Sequence, residues 1–227
     1  PLQYFIFATL PFSTVLPAVL GTYELLSSFP RLTIGLDFFL PVNFVKPRAF
    51  AAVALGMSCV GLAFIGILPD FLFPLLWVSP LCVMTSIQSL HGEKTVFAPL
   101  ARGDWRRICL LAASALVCGF FWEMWNSHSL AKWVYSVPFV EKFKVFEMPL
   151  LGYAGYLPFG LECAVIGDLV ARWCGDKTTK NPDGPRAESA ETAEVIGWPA
   201  AHIWLGNTFI LVCLLWWFLV QPGLTVI

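Results

Sequence analysis

Residues 118–162, CGFFWEMWNSHSLAKWVYSVPFVEKFKVFEMPLLGYAGYLPFGLE, set Glu123, Glu147 and Glu162 among runs of Phe, Trp, Leu and Gly. An ionised carboxylate is expensive to remove from water, so acids kept in apolar sequence are candidates for a site. Asn126 follows Glu123 by three residues, and Trp122 and Trp125 have the same spacing, so on a helix each pair lies on one side. If Glu147 returns to the level of Glu123, the two carboxyls face each other inside a wall of Trp122, Trp125, Trp133 and Tyr135. Two carboxyls within a few ångströms cannot both ionise comfortably, and one of such a pair keeps its proton at neutral pH. A retained proton is what a general acid needs, and aromatic faces stabilise cationic character in an apolar substrate. The candidate catalytic set is Glu123 and Glu147 as acids with Asn126 orienting them, and Trp122, Trp125, Trp133 and Tyr135 are the ligand wall.

Glu162 lies 15 residues beyond Glu147, about 22 Å along an unbroken helix. It joins the outer acids as a ligand-binding residue only if the chain breaks at Pro158, in GYAGYLPFG, where Gly152 and Gly155 permit close helix contact. Each acid also has a structural role open to it. Glu123 would bond a freed carbonyl or pair with Lys132 or Lys142. Glu147 would cap a helix N-terminus, where negative charge is favourable. Glu162 would bond another span.

Metal and cofactor signals are weak. The 7 cysteines form no C-x-x-C pair and read as small apolar residues. His91 and His202 fall near the same membrane face, a geometry open to a haem. His128 is five residues from Glu123, off the i+4 spacing of a helical metal motif. No metal is expected, and no cofactor is named by any spacing.

The elements that must position these residues follow from composition. The 227 residues are 58% hydrophobic and 13% charged, with 20 Phe and 10 Trp, and the mean hydropathy is +0.73. Soluble domains carry about 25% charged residues, so the expected class is an all-α integral membrane protein forming a single polytopic domain over 1–227. A net charge of −1 gives no general pull toward nucleic acid. Six apolar windows of spanning length occur at 3–24, 48–68, 71–90, 107–127, 146–172 and 198–220. Pro11, Pro17, Pro149 and Pro158 predict kinked or broken spans. RLTIGLDFFLPVNFVKPR and SLAKWVYSVPFVEKFKVF read as two interfacial segments, and 174–195 as a polar loop.

Of the 14 basic residues, 11 fall in the loops after spans one, three and five, leaving Lys132, Lys142 and Lys144 on the other face. The positive-inside rule places the 11, and the 174–195 loop, in the cytoplasm of a bacterial inner membrane, with both termini outside.

At WEMWN, KWVY and FEMPLLGYAGYLPFGLE the chain resembles a family of bacterial polytopic membrane proteins. In layout, residues 118–162 are also similar to the lycopene cyclase domain of carotenoid biosynthesis. That resemblance implies a glutamate donating a proton to a polyene in a cyclisation without net redox change. The cyclase pattern sets proline before a glutamate pair, whereas here the order is Glu147-Met148-Pro149.

Three functions follow as expectations. The first is a subunit of a larger membrane assembly, in contact with lipids and other subunits, holding an isoprenoid, pigment or quinone. The second is an intramembrane enzyme using glutamate acid catalysis on an isoprenoid or lipid. The third is a proton-coupled transporter relaying through Glu123 and Glu162; the halves show no internal repeat to favour it.

Overall fold

The computed structural model describes residues 2–44, 46–130, 132–135 and 143–173, with side chains from Ser13 onward. The window at 198–220, the loop at 174–195 and His202 lie outside the described residues. Six α-helices follow in order: α1 (Leu2–Ser27), α2 (Pro47–Phe64), α3 (Pro69–Leu72), α4 (Leu75–Leu90), α5 (Arg106–His128) and α6 (Tyr156–Trp173). A two-stranded antiparallel hairpin, β1 (Lys144–Val145) and β2 (Met148–Pro149), leads through a 3-10 segment, Leu150–Gly155, into α6.

Three stretches, Pro47–Phe64, Arg106–His128 and Leu150–Trp173, are long and apolar enough to cross a membrane. The expected third span divides: Pro69 opens the short α3, and Pro74 stands between it and α4, which has 16 residues. Hydropathy averages over that interruption, because Pro and its apolar neighbours leave the mean high. α1 runs unbroken through Pro11 and Pro17. The expected break at Pro158 is also absent: Pro158 occupies the first turn of α6, where a missing N–H deprives no carbonyl. The irregularity lies earlier, in the hairpin and the 3-10 segment.

α5 and α6 form the centre, with α1 against both and α4 against α6. A Cβ on Gly160 would stand 2.1 Å from the Leu111 carbonyl oxygen, so α5 and α6 touch backbone to backbone there. This close approach is at Gly160; at Gly155 an added Cβ would meet only the Trp77 side chain, at 3.6 Å. The buried core joins Ala18 and Val19 of α1, Ala115 and Cys118 of α5, Met148 of β2, and Tyr156 and Cys163 of α6. Among the described residues α2 packs on α4 and on the short α3 and is little covered: 11% of its apolar window is buried, against 44% for α5.

The two ends of this bundle differ. At one end, the expected interfacial segment after α1 lies along the loop before α5, with Trp105 N–H donating to the Leu36 carbonyl at 2.7 Å and Phe39 N–H to the Gly103 carbonyl at 2.9 Å. Arg107 pairs with Asp168, and Arg172 with Glu93, both at 2.7 Å. Asp104 accepts the Arg106 backbone N–H at 3.1 Å and pairs with its guanidinium, which holds the Asp104 carboxyl below its ordinary pKa and favours the start of α5. Glu123, Glu147, Trp133 and Tyr135 lie at the opposite end.

Candidate functional site

Glu123 is the best-buried carboxyl of the molecule as described, with 0% exposure. Five turns of α5 carry it from the basic end to the far end. Its Oε1 accepts two phenolic hydroxyls, from Tyr135 at 2.6 Å and from Tyr156 at 2.8 Å. Trp133 Nε1 in turn donates to the Tyr135 oxygen at 2.6 Å. Glu123 Oε2 is buried and has no hydrogen-bond partner among the described residues.

Neighbouring positions explain why the tyrosines arrive there. Gly119 stands one turn before Glu123, and a Cβ on it would lie 2.6 Å from the Tyr156 ring, so the missing side chain is the seat of that ring. Trp122 packs on the same face, its ring 6.1 Å from Tyr156 and 6.3 Å from Phe159. Tyr135 is placed from the other side by Asn126. That amide grips the backbone of Trp133 twice, Nδ2 donating to the carbonyl and Oδ1 accepting the N–H, both at 2.8 Å. The Asn126 amide is 2% exposed. It therefore positions the 132–135 segment; it does not touch Glu123's carboxyl. Burial and the bond to Glu123 push the Tyr135 hydroxyl above its ordinary pKa.

Glu147 is not the partner of Glu123. It occupies the turn of the hairpin and forms an ion pair with Lys132, whose side chain is 42% exposed. The expected carboxyl pair is replaced by two separate acids joined through one segment, because the nearby lysine neutralises Glu147 more effectively than a second acid does. Nor does Glu147 cap a helix, since the hairpin and the 3-10 segment intervene before α6. The turn holds Phe146 in the left-handed region at φ 57°, and Phe143 at φ 58°, a conformation costing about 1–2 kcal/mol per residue. Offsetting contacts are the Phe146 ring against Phe120 at 5.3 Å and the Leu150 N–H donated to the Phe143 carbonyl at 2.8 Å.

Glu162 belongs elsewhere. It is 8% exposed and its Oε1 accepts the Leu81 backbone N–H at 3.3 Å, next to Pro80 inside α4. Its apolar setting favours this bond to a neighbouring helix, and it does not floor the Glu123 site. Trp125 follows Glu123 by two residues, placing it on the opposite side of α5. Trp133 is 53% exposed and acts through its N–H on Tyr135.

Sequence reasoning missed Tyr156 and Tyr153. Tyr156 lies 33 residues from the carboxylate it serves, and no helical or strand period links the two. Tyr153 lies 6.0 Å from Tyr156, ring to ring, and donates to the Val145 carbonyl at 3.3 Å, tying the hairpin to the site. Among the described residues no group of three His, Cys, Asp or Glu is placed to hold a metal. His91 is at the basic end, its Nδ1 2.9 Å from the Ile87 carbonyl.

Comparisons with protein-family models, curated proteins and solved structures find no match. The chemistry of the site therefore rests on its own geometry. Four polar side chains, from Trp133, Tyr135, Tyr156 and Glu123, form one chain of hydrogen bonds joining α5, α6 and the segment between them. Its surroundings are apolar and aromatic. Such an arrangement can fix a carboxylate in one orientation, keep water from it, and offer its remaining oxygen to another group.

At the basic end, Tyr23, Arg107 and Asp168 line a cavity of about 30 Å³, room for a water molecule.

Proposed function

We propose that the chain is a polytopic protein of the bacterial cytoplasmic membrane that serves as a ligand-holding subunit of a larger membrane assembly. The ligand is of isoprenoid, pigment or quinone type and is held at the Glu123 end, which faces outward. One observation carries this reading: a wholly buried carboxylate is oriented by Tyr135 and Tyr156 while its second oxygen has no partner among the described residues. Intramembrane acids are costly, and those that persist mark ligand or ion sites. The apolar face of α2, little covered among the described residues, supports contact with lipid and with other subunits, and the basic residues at the opposite end support the orientation.

Extraction in mild detergent, followed by mass spectrometry of intact complexes and of extracted lipids, tests the reading. A defined complex is expected, with an apolar ligand present in wild type and depleted in Tyr156→Phe. A protein that purifies alone and retains no apolar ligand in any preparation overturns it.

A second reading is favoured by the same uncommitted oxygen. Glu123, aimed by its tyrosines, is the acid of a lipid-modifying enzyme, with Trp122 stabilising the cation formed. Loss of product from a polyene substrate in Glu123→Gln, with the ligand still bound, distinguishes catalysis from holding.

A further inference from the structure

We infer that the ligand of the Glu123 site presents a hydrogen-bond donor, a hydroxyl on an apolar isoprenoid-like body, and that Glu123 Oε2 receives it. The inference rests on the ligand-holding reading above and names the chemistry of the group bound.

It follows from a census of donors and acceptors around the carboxylate. Each described donor that reaches the carboxylate is already spent. The Tyr156 and Tyr135 hydroxyls both donate to Oε1, at 2.8 and 2.6 Å. The Trp133 indole N–H is spent on Tyr135, at 2.6 Å. The Asn126 amide donates to the Trp133 carbonyl and Tyr153 to the Val145 carbonyl. Against these stands one carboxylate oxygen, Oε2, buried and without a partner among the described residues. A ring of spent donors around a free acceptor recognises an O–H or N–H and gives a carbonyl nothing to bind. A buried acceptor left unpaired also carries its full desolvation penalty, so a ligand that supplies the missing donor gains that penalty back.

The surrounding rings of Trp122, Tyr153, Tyr156 and Phe159 match an apolar ligand body better than a charged one. Together these favour an isoprenoid alcohol or a quinol over a hydrocarbon polyene or the oxidised quinone. The carboxyl is wholly buried, so the hydroxyl reaches it by exchange with a protein contact. The exposed side of the site is the segment carrying Lys132, Trp133 and Val134.

The test uses the purified full chain in phosphatidylcholine nanodiscs, with binding read by quenching of tryptophan fluorescence. Four probes are compared: geranylgeraniol, the hydrocarbon of the same chain length, a long-chain ubiquinol under anaerobic reduction, and its ubiquinone. Each donor-bearing probe is expected to bind about tenfold or more tightly than its partner lacking the donor. The stronger of the two donors names the source. In Glu123→Gln the side chain offers an amide donor in place of a carboxylate oxygen, and the quinol-over-quinone preference is expected to vanish or invert. Equal binding within both pairs, in a protein that does bind them, overturns the inference and leaves the ligand-holding reading standing. Binding of none of the four overturns that reading as well.

Discussion

Removing the two tyrosine hydroxyls singly and together is the sharpest perturbation of the Glu123 site. Tyr156→Phe keeps the ring seated on Gly119 and against Trp122 and deletes only the O–H that reaches Oε1 at 2.8 Å. Tyr135→Phe deletes the 2.6 Å bond and strands the Trp133 N–H as well. Hydrogen bonds to charged groups contribute about 1.5–3 kcal/mol in soluble proteins, whereas side-chain bonds within membranes average nearer 0.6 kcal/mol with a maximum of about 1.7. The buried, doubly bonded carboxylate belongs at the upper end of the membrane range, so each single change is expected to cost about 1–1.5 kcal/mol. The double change should cost more than the sum of the two. With one tyrosine left, Glu123 keeps a partner; with neither, it has no hydrogen bond among the described residues. Coupling of about 0.5 kcal/mol or more is therefore expected, as for residues sharing one network. Reversible unfolding in mixed micelles of a mild detergent and dodecyl sulfate, followed by circular dichroism, measures the cycle. Strict additivity, with each single below about 0.3 kcal/mol, would refute the shared-acceptor geometry.

Three further outcomes follow from the same structure. Gly160→Ala sets a Cβ 2.1 Å from the Leu111 carbonyl oxygen, so the helices must part. A loss of about 2 kcal/mol or more is expected in the same unfolding assay, at the upper part of the overpacking range. Lys132→Met removes the partly exposed pair with Glu147; it should cost less than about 1 kcal/mol, and high salt should erase most of the difference from wild type. Tyr135 has its pKa raised in the folded protein, chiefly by burial and then by Glu123. Its contribution is then complete below the unfolded value of about 10 and is lost as pH rises above it. Unfolding free energy should be level below that pH and fall above it, with a shallower fall in Tyr135→Phe.

The helices were legible in the sequence where hydropathy and polar boundaries coincide. α5, Arg106–His128, sits almost on the window 107–127, because Arg106 and Arg107 open the apolar run and Asn126 and His128 close it. The split between α3 and α4 was not legible, since Pro74 interrupts the backbone among Phe and Leu neighbours that keep the mean hydropathy high. At the site, the three-residue spacing of Glu123 and Asn126 puts both on one side of α5. The role of Asn126 still differed, because its partner is the backbone of Trp133.

Glu147 illustrates a different limit. Its place before an apolar run suggests a helix start, but the chain folds into a hairpin there, with Phe143 and Phe146 in the left-handed conformation. Glycine would have signalled such a turn; phenylalanine conceals it. The sequence offers Lys132 as a partner to Glu123, and the hairpin brings Glu147 to it instead. Gly119 and Gly160 carry the close contacts of α5 and α6, yet in the sequence they are two of 17 glycines. Only the packing distinguishes them.

The most direct measurement is an experimental density map of the full chain in a lipid nanodisc, at a resolution that separates side-chain hydroxyls. It should show the Tyr135 and Tyr156 oxygens both within hydrogen-bond reach of one Glu123 oxygen, with Glu147 turned away to Lys132. Additional density should abut the other Glu123 oxygen when a hydroxyl-bearing isoprenoid is supplied. A map in which Glu123 projects into headgroups or bulk water, with both tyrosines bonded elsewhere, would contradict the account.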